Sequence, residues 1–223
     1  MARYNRIEVI EQMKVTGIVP VFHHHDINIC KKVIDACYKG GIRVFEFTNR
    51  GEGAFRIYDE LNQYISKNLP DLILGIGSII DAPTAALYLS AGANFIVSPI
   101  FNPEIAKICN RQKIAWVPGC GSLTEINNAE EMGADLIKIF PARQVGGPEF
   151  IKAVKGPCPW TNIMPTGGVN PNESDLKDWF SAGAHCVGMG SKLITSDIIN
   201  NSNYDDLTHS VRIIIDNIKL LTQ

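Results

Sequence analysis

This 223-residue chain has no cysteine pair at C-x-x-C spacing, no long apolar run and no large excess of either charge. Each absence removes a class of protein. Its six cysteines, Cys30, Cys37, Cys109, Cys120, Cys158 and Cys186, are scattered, most of them in apolar helix or strand context. A free cysteine there behaves as a small hydrophobe, so a reducing, cytoplasmic compartment is expected and a disulfide scaffold is not. No stretch approaches the roughly 20 apolar residues that span a bilayer. The opening MARYNRIEVIEQMK threads charges through its apolar positions, which predicts an amphipathic helix and not a signal peptide. A formal net charge of -2 supplies no field for nucleic acid or an anionic membrane, so the expected partner is a small molecule. Linkers and low-complexity segments are missing too. One domain over residues 1–223 is expected.

What is present is a weak repeat. KGGIRVFEF, SAGANFIVSP, EMGADLIKIF and SAGAHCVGMG each read as a helix that ends at glycine (Gly40, Gly92, Gly133, Gly183) and passes at once into an apolar strand. Glycine tolerates the left-handed cap that ends helices. These glycines lie 52, 41 and 50 residues apart, room for two strand-plus-helix units, and VPVF, LILGIG, IAWVPG and NIMPTGG supply the strands between. Apolar spacing of three and four marks helices over 27–39, 54–67, 102–110, 122–132, 147–154 and 174–182, with a last one over 204–223. Asp26, Asn102 before Pro103, and a Ser122/Glu125 capping box supply start signals. Eight alternating units predict an α/β fold, a single (β/α)8 TIM barrel with an N-terminal helix; a doubly wound open sheet is the alternative. In a barrel, function collects at the C-terminal ends of the strands.

Two strands carry a charge where water should not reach. In ADLIKIFPA, Lys138 interrupts an apolar run, and a buried amine must find a partner or lose its proton. In RVFEFTNRG, period-two alternation puts Val44, Glu46 and Thr48 on one face and Phe45 and Phe47 on the other, as it groups Leu136, Lys138 and Phe140. If both faces line the barrel, a carboxylate and an amine share one enclosed volume. A buried ion pair is the structural alternative. Arg50, just beyond the same strand as Glu46, offers a fork for a carboxylate. Burial and a neighbouring cation both lower an amine's pKa, and a neutral amine attacks carbonyl carbon.

The last two strands end in PTGGVN and GMGSK. Glycines there let backbone N–H groups approach an anion, and loops seven and eight are the usual phosphate site of this architecture. The run His23, His24, His25 looks like a metal cluster, but adjacent histidines in extended chain point to opposite sides, and Asp26 is better placed as a helix cap. No metal or other cofactor is expected, and one histidine is expected to face substrate. Cys120 in VPGCGS reads as a small residue in a tight loop.

With these pieces placed, the chain resembles the 2-keto-3-deoxy-6-phosphogluconate (KDPG) aldolase family, which includes 4-hydroxy-2-oxoglutarate aldolases. The resemblance runs from about residue 15 to 195 through GIVPV, GGIRVFEFTNR, GIGS, AGANFIVSP, VPG, IKIFPA, MPTGGVNP and GMGS. It implies a class I lyase in which Lys138 forms a Schiff base with pyruvate, Glu46 moves protons and Arg50 holds the pyruvate carboxylate. By the same resemblance Ser78, Pro99, Phe140 and Thr166 contact a 2-keto acid substrate, and Gly167, Gly168, Gly190 and Ser191 bind its phosphate. It also implies a homotrimer, and Thr166 favours the gluconate epimer. Two positions depart from the family pattern: His23, where many relatives carry arginine, and Arg143, where the usual motif reads FPAE. A metal-dependent pyruvate aldolase and a non-catalytic phosphosugar-binding barrel are the competing readings.

Overall fold

The computed structural model describes residues 2–222; Met1 and Gln223, which fall in the expected first and last helices, lie outside the described residues. Helix α1 (Arg6–Thr16) starts later than its charge pattern predicts. The reason is a reciprocal cap: Asn5 Oδ1 accepts from the Ile7 and Glu8 N–H groups (2.9 and 3.2 Å), and the Glu8 carboxylate accepts from Asn5 N–H (2.7 Å). Then strands and helices alternate: β1 (Ile18–Phe22), α2 (Ile27–Lys39), β2 (Val44–Thr48), α3 (Ala54–Asn68), β3 (Ile73–Gly77), α4 (Ala82–Ser90), β4 (Phe95–Val97) and α5 (Pro103–Gln112). The second half runs β5 (Ala115–Val117), β6 (Gly119–Cys120), α6 (Leu123–Glu131), β7 (Ile137–Ile139), α7 (Gly147–Lys155), β8 (Ile163–Pro165), α8 (Glu173–Ser181), β9 (Val187–Met189), α9 (Ser196–Asn200) and α10 (Tyr204–Thr222).

All pairings are parallel, in a six-stranded sheet ordered β5-β4-β3-β2-β1-β9 and a three-stranded sheet ordered β6-β7-β8. The eight expected strands are thus in place, but the ladder is interrupted. The fifth strand is cut at Pro118, which has no N–H to donate, although its carbonyl still accepts from Lys138 N–H (2.9 Å). Between β8 and β9 the ladder reduces to a Thr166–Gly188 bridge, next to Pro165, and a hydrogen bond from His185 N–H to the Ile163 carbonyl (2.8 Å). This is an α/β fold built on curled parallel sheet.

Alternation along the strands creates two apolar layers. Phe45, Phe47, Ile76, Ile96, Ile137 and Ile139 pack outward under the helices, while Val19, Val44, Ile73, Phe95, Val97, Val117, Leu136 and Met164 pack inward. Val9 and Met13 of α1 join the inner layer, so this helix covers the end where the strands begin. Each is fully buried, a gain of about 1.5–3 kcal/mol per side chain. Helix α10 lies outside, against α2 and α8.

Three local expectations change. The left-handed residue after α2 is Gly41 (φ 112°), whereas Gly40 is right-handed; glycine is needed at 40 because a Cβ there would lie 2.6 Å from Val211 Cγ1. At Ser122 the hydroxyl accepts from Glu125 N–H (3.3 Å), but the Glu125 carboxylate reaches Gly121 N–H (2.8 Å), not the cap residue's own. Helix α4 escapes the periodicity because APTAALYLS is apolar nearly all round; its signals are the Asp81 cap and the proline at its start.

Candidate active site

Glu46 and Lys138 arise from the same local rule. Each sits at an inward-facing position of a buried strand, with outward-packing neighbours on both sides: Phe45 and Phe47 in β2, Ile137 and Ile139 in β7. Both are nearly closed to solvent, 1% and 5% exposed. Neither carboxylate oxygen of Glu46 has a hydrogen-bond partner, and among the described residues no ion pair joins it to Lys138. Burial pushes the Lys138 amine down; Glu46 pulls it up and Arg50 pushes it further down. Burial likewise pushes the Glu46 carboxyl up, against the pull of Lys138 and Arg50. The shared cause is desolvation, which disfavours both charges and leaves an amine with nucleophilic character beside a carboxyl able to hold a proton. The close ion pair of the alternative reading is therefore absent; each group still bears electrostatically on the other, and neither forms part of a cavity wall.

Space for Glu46 comes from β3. A Cβ on Gly77 would overlap Glu46 Oε1 and lie 2.5 Å from its Cδ. Gly188 serves Thr166 in the same way: a Cβ there would overlap the Thr166 hydroxyl, which is buried and unpartnered. Sequence reasoning missed both roles. Their only signal was a glycine inside an apolar strand, which marks close approach by something else.

Above these groups opens a cavity of about 400 Å³ at the C-terminal ends of the strands. Val21, Phe22, His23, Thr48, Arg50, Phe140, Thr166, Gly167, Gly168, Val169, Gly188, Gly190, Ser191, Lys192 and Ile194 line it. Lys138 Nζ lies 5.0 Å from the centre of the Phe140 ring, beneath this floor. Arg50 Nε donates to Ser78 Oγ (3.2 Å), bringing together the residue that the resemblance assigns to the substrate carboxylate and one that it places against the 2-keto acid. Ser78 holds φ 60°, an uncommon value for a residue with a side chain and one that collects at working sites. Pro99 does not line the cavity. It packs where the fifth strand breaks, so close to Gly119 that a Cβ there would overlap the Pro99 carbonyl.

The histidine run does not converge on a metal. His23 lines the cavity with a buried, unpartnered Nδ1, and burial followed by Arg50 lowers its pKa. His24 Nδ1 accepts from Asp26 N–H (3.0 Å), and Asp26 caps α2 by accepting from Asn28 N–H (2.7 Å). The His24 and His25 rings stack at 4.4 Å instead of diverging, because the chain leaves the strand at Phe22. Cys120 is buried and its thiol is pushed up to about 12 by burial, the state of a packed residue.

The glycine loops lie where expected, but for a further reason. Gly167 and Gly168 hold φ of 95° and 83°. A Cβ at Gly168 would fall 2.5 Å from Arg143 Cβ, and one at Gly167 would fall 3.5 Å from Pro141 Cα. Arg143 itself does not point along the cavity. It donates through Nε and Nη2 to the Gly168 carbonyl (3.2 and 3.1 Å) and pairs with Asp175.

Comparison with known proteins agrees with this geometry. The family model described as KDPG and KHG aldolase matches residues 9–210. The chain is 32% identical over 216 residues to the 2-dehydro-3-deoxy-phosphogluconate aldolase of Haemophilus influenzae, covering 97% of this chain and 99% of that one. It is 29% identical over 212 residues to the KHG/KDPG aldolase of Escherichia coli K12, with 94% and 96% covered. Among solved structures, a KDPG aldolase from Legionella pneumophila, with pyruvate captured as a covalent carbinolamine, aligns at TM-score 0.83 and 27% identity over 92% of this chain and 97% of that one. The chain belongs to the KDPG and KHG aldolase family of lyases.

Proposed function

We propose that this chain is a metal-free class I aldolase cleaving 2-keto-3-deoxy-6-phosphogluconate to pyruvate and glyceraldehyde 3-phosphate. The observation that carries the reading is the desolvated Lys138 amine and the unpartnered Glu46 carboxyl, both beneath a cavity whose far wall is glycine loop. Neutral Lys138 Nζ adds to the substrate ketone, and Glu46 supplies the proton with which the carbinolamine hydroxyl leaves as water. The imine is protonated and draws electrons. Glu46, now a base, takes the C4 hydroxyl proton; the C3–C4 bond breaks, its pair flows into the iminium, and the aldehyde departs from an enamine. Returning that proton to C3 and adding water releases pyruvate and restores the amine. In this scheme Arg50 and Ser78 hold the keto-acid carboxylate, Phe140 and Thr166 flank the chain, and Gly167, Gly168, Gly190 and Ser191 take the phosphate, while Pro99, which lies outside the cavity, has no part.

The E. coli relative is named for both KHG and KDPG, which supports 4-hydroxy-2-oxoglutarate as a second substrate. We read the two sheets as one closed (β/α)8 barrel and residues 1–223 as one domain; the Thr166–Gly188 bridge and the Lys138-to-Pro118 hydrogen bond across the breaks support this. A cytoplasmic homotrimer completes the reading. The test is borohydride reduction in the presence of pyruvate, followed by peptide mass mapping. The reduced pyruvyl group should sit on Lys138, and Lys138→Ala should abolish it. A label on Lys192, or none, refutes the mechanism.

A further inference from the structure

Three consecutive carbonyls of the glycine loop point the same way. The Thr166 carbonyl accepts from Ala142 N–H (2.9 Å), that of Gly167 from Arg143 N–H (3.1 Å), and that of Gly168 from the Arg143 guanidinium (3.1 and 3.2 Å). These peptides are trans, so each following N–H points opposite to its carbonyl. The N–H groups of Gly167, Gly168 and Val169 are therefore turned away from residues 142–143. That direction is the cavity: Thr166 to Val169 line it, and neither Ala142 nor Arg143 does. Among the described residues, the Gly168 and Val169 N–H groups have no protein acceptor. Successive N–H groups aimed at one point form an anion-binding concavity.

The first two carbonyls are held by backbone. The third depends on one side chain. Arg143 is itself fixed from two sides, by the pair with Asp175 and by Trp179, whose ring centre lies 4.9 Å from its guanidinium carbon. Asp175 does not need Arg143 to stay in place, because it also accepts from Asn170 N–H (2.8 Å) and Trp179 Nε1–H (3.0 Å). An exposed ion pair alone would contribute little. The contact that is not duplicated elsewhere is the two-pronged one on the Gly168 carbonyl.

We propose that Arg143 is a positioning residue for the anion loop, holding the Gly168 carbonyl outward so that the Val169 N–H, beside that of Gly168, faces the phosphate of the substrate. This rests on the phosphate assignment above and deepens it. Without Arg143 the Gly168–Val169 peptide is free to turn, and a carbonyl presented to the cavity would repel an anion. The effect should fall on phosphate recognition alone.

The experiment measures competitive inhibition by inorganic phosphate and kcat/KM on two substrates, in wild type, Arg143→Ala and Arg143→Gln. The glutamine keeps much of the stem and one donor but not the fork, and covers the case in which the alanine variant does not fold. Expected are a weaker phosphate inhibition, on the order of tenfold from loss of a charge-assisted hydrogen bond, and a matching rise in KM for the phosphorylated aldol. Activity on 4-hydroxy-2-oxoglutarate, which has no phosphate, and pyruvate labelling of Lys138 should stay at wild-type levels. Unchanged phosphate inhibition in the folded variants would overturn the role of Arg143 while leaving the loop as the anion site. Equal loss on both substrates would make Arg143 a purely structural residue and also overturn it. No inhibition of the wild type by phosphate would remove the anion site, and the positioning role with it.

Discussion

Gly77→Ala tests whether Glu46 works from the place in which the fold puts it. The backbone of β3 tolerates alanine, since Gly77 does not have the positive φ that only glycine favours. The obstacle is the carboxylate. The new methyl would overlap Oε1 and sit 2.5 Å from Cδ, so Glu46 must retreat by about 0.9 Å for Cδ alone to reach an ordinary contact of 3.4 Å. A misplacement of about 1 Å in a reacting group can cost about 100-fold. That corresponds to ~2.7 kcal/mol of transition-state stabilisation. Overpacking should also lower stability by about 1–3 kcal/mol. Steady-state cleavage with a coupled assay for pyruvate should show the loss in kcat, with little change in the amount of Lys138 labelled by pyruvate and borohydride, because the amine is on the opposite strand set. Urea unfolding separates the stability term from the catalytic one. A folded Gly77→Ala protein with wild-type kcat would refute the role given to the Glu46 position.

Glu46→Gln preserves shape but not the proton, so turnover should fall by about 100- to 10,000-fold while pyruvate still labels Lys138; near wild-type cleavage would require another base. Replacing both buried groups, Lys138→Met with Glu46→Leu, should abolish activity yet stabilise the fold by about 1–4 kcal/mol in urea, and a less stable double variant would show that the pair is net favourable. The pair also sets a pH signature through its lowered Lys138 and raised Glu46 pKa values. The raised Glu46 makes the pair's contribution more favourable as pH falls toward the unfolded carboxyl value of about 4.3, and the lowered Lys138 makes it more favourable as pH rises toward the unfolded lysine value of about 10.4; unfolding titrations should show wild type gaining stability relative to the double variant toward both extremes. Alkylation at pH 8 should modify Cys158 before the five buried thiols and leave activity intact; rapid loss of activity on thiol modification would bring Cys120 back as a functional group.

Much of this protein was legible along the chain because its signals are local. Alternation of apolar strands with helices at periods of two and near 3.6 placed every strand, and the charges at 46 and 138 stood out because each is the one charged residue within its strand. Asp26, Asn102 and Ser122 announced helix starts that the structure keeps, since a cap needs only the next three residues. What remained hidden depends on residues far apart in sequence. That Glu46 has no partner, and that Gly77 makes its room, follow from the register of β2 on β3, which places Glu46 opposite Gly75 and Thr48 opposite Gly77. The double role of Gly168 was equally silent, because Arg143 stands 25 residues earlier and meets it only across neighbouring strand ends. Local sequence determines which segments form and which faces are apolar; only the packed fold decides which polar groups are left without partners, and those groups carry the chemistry.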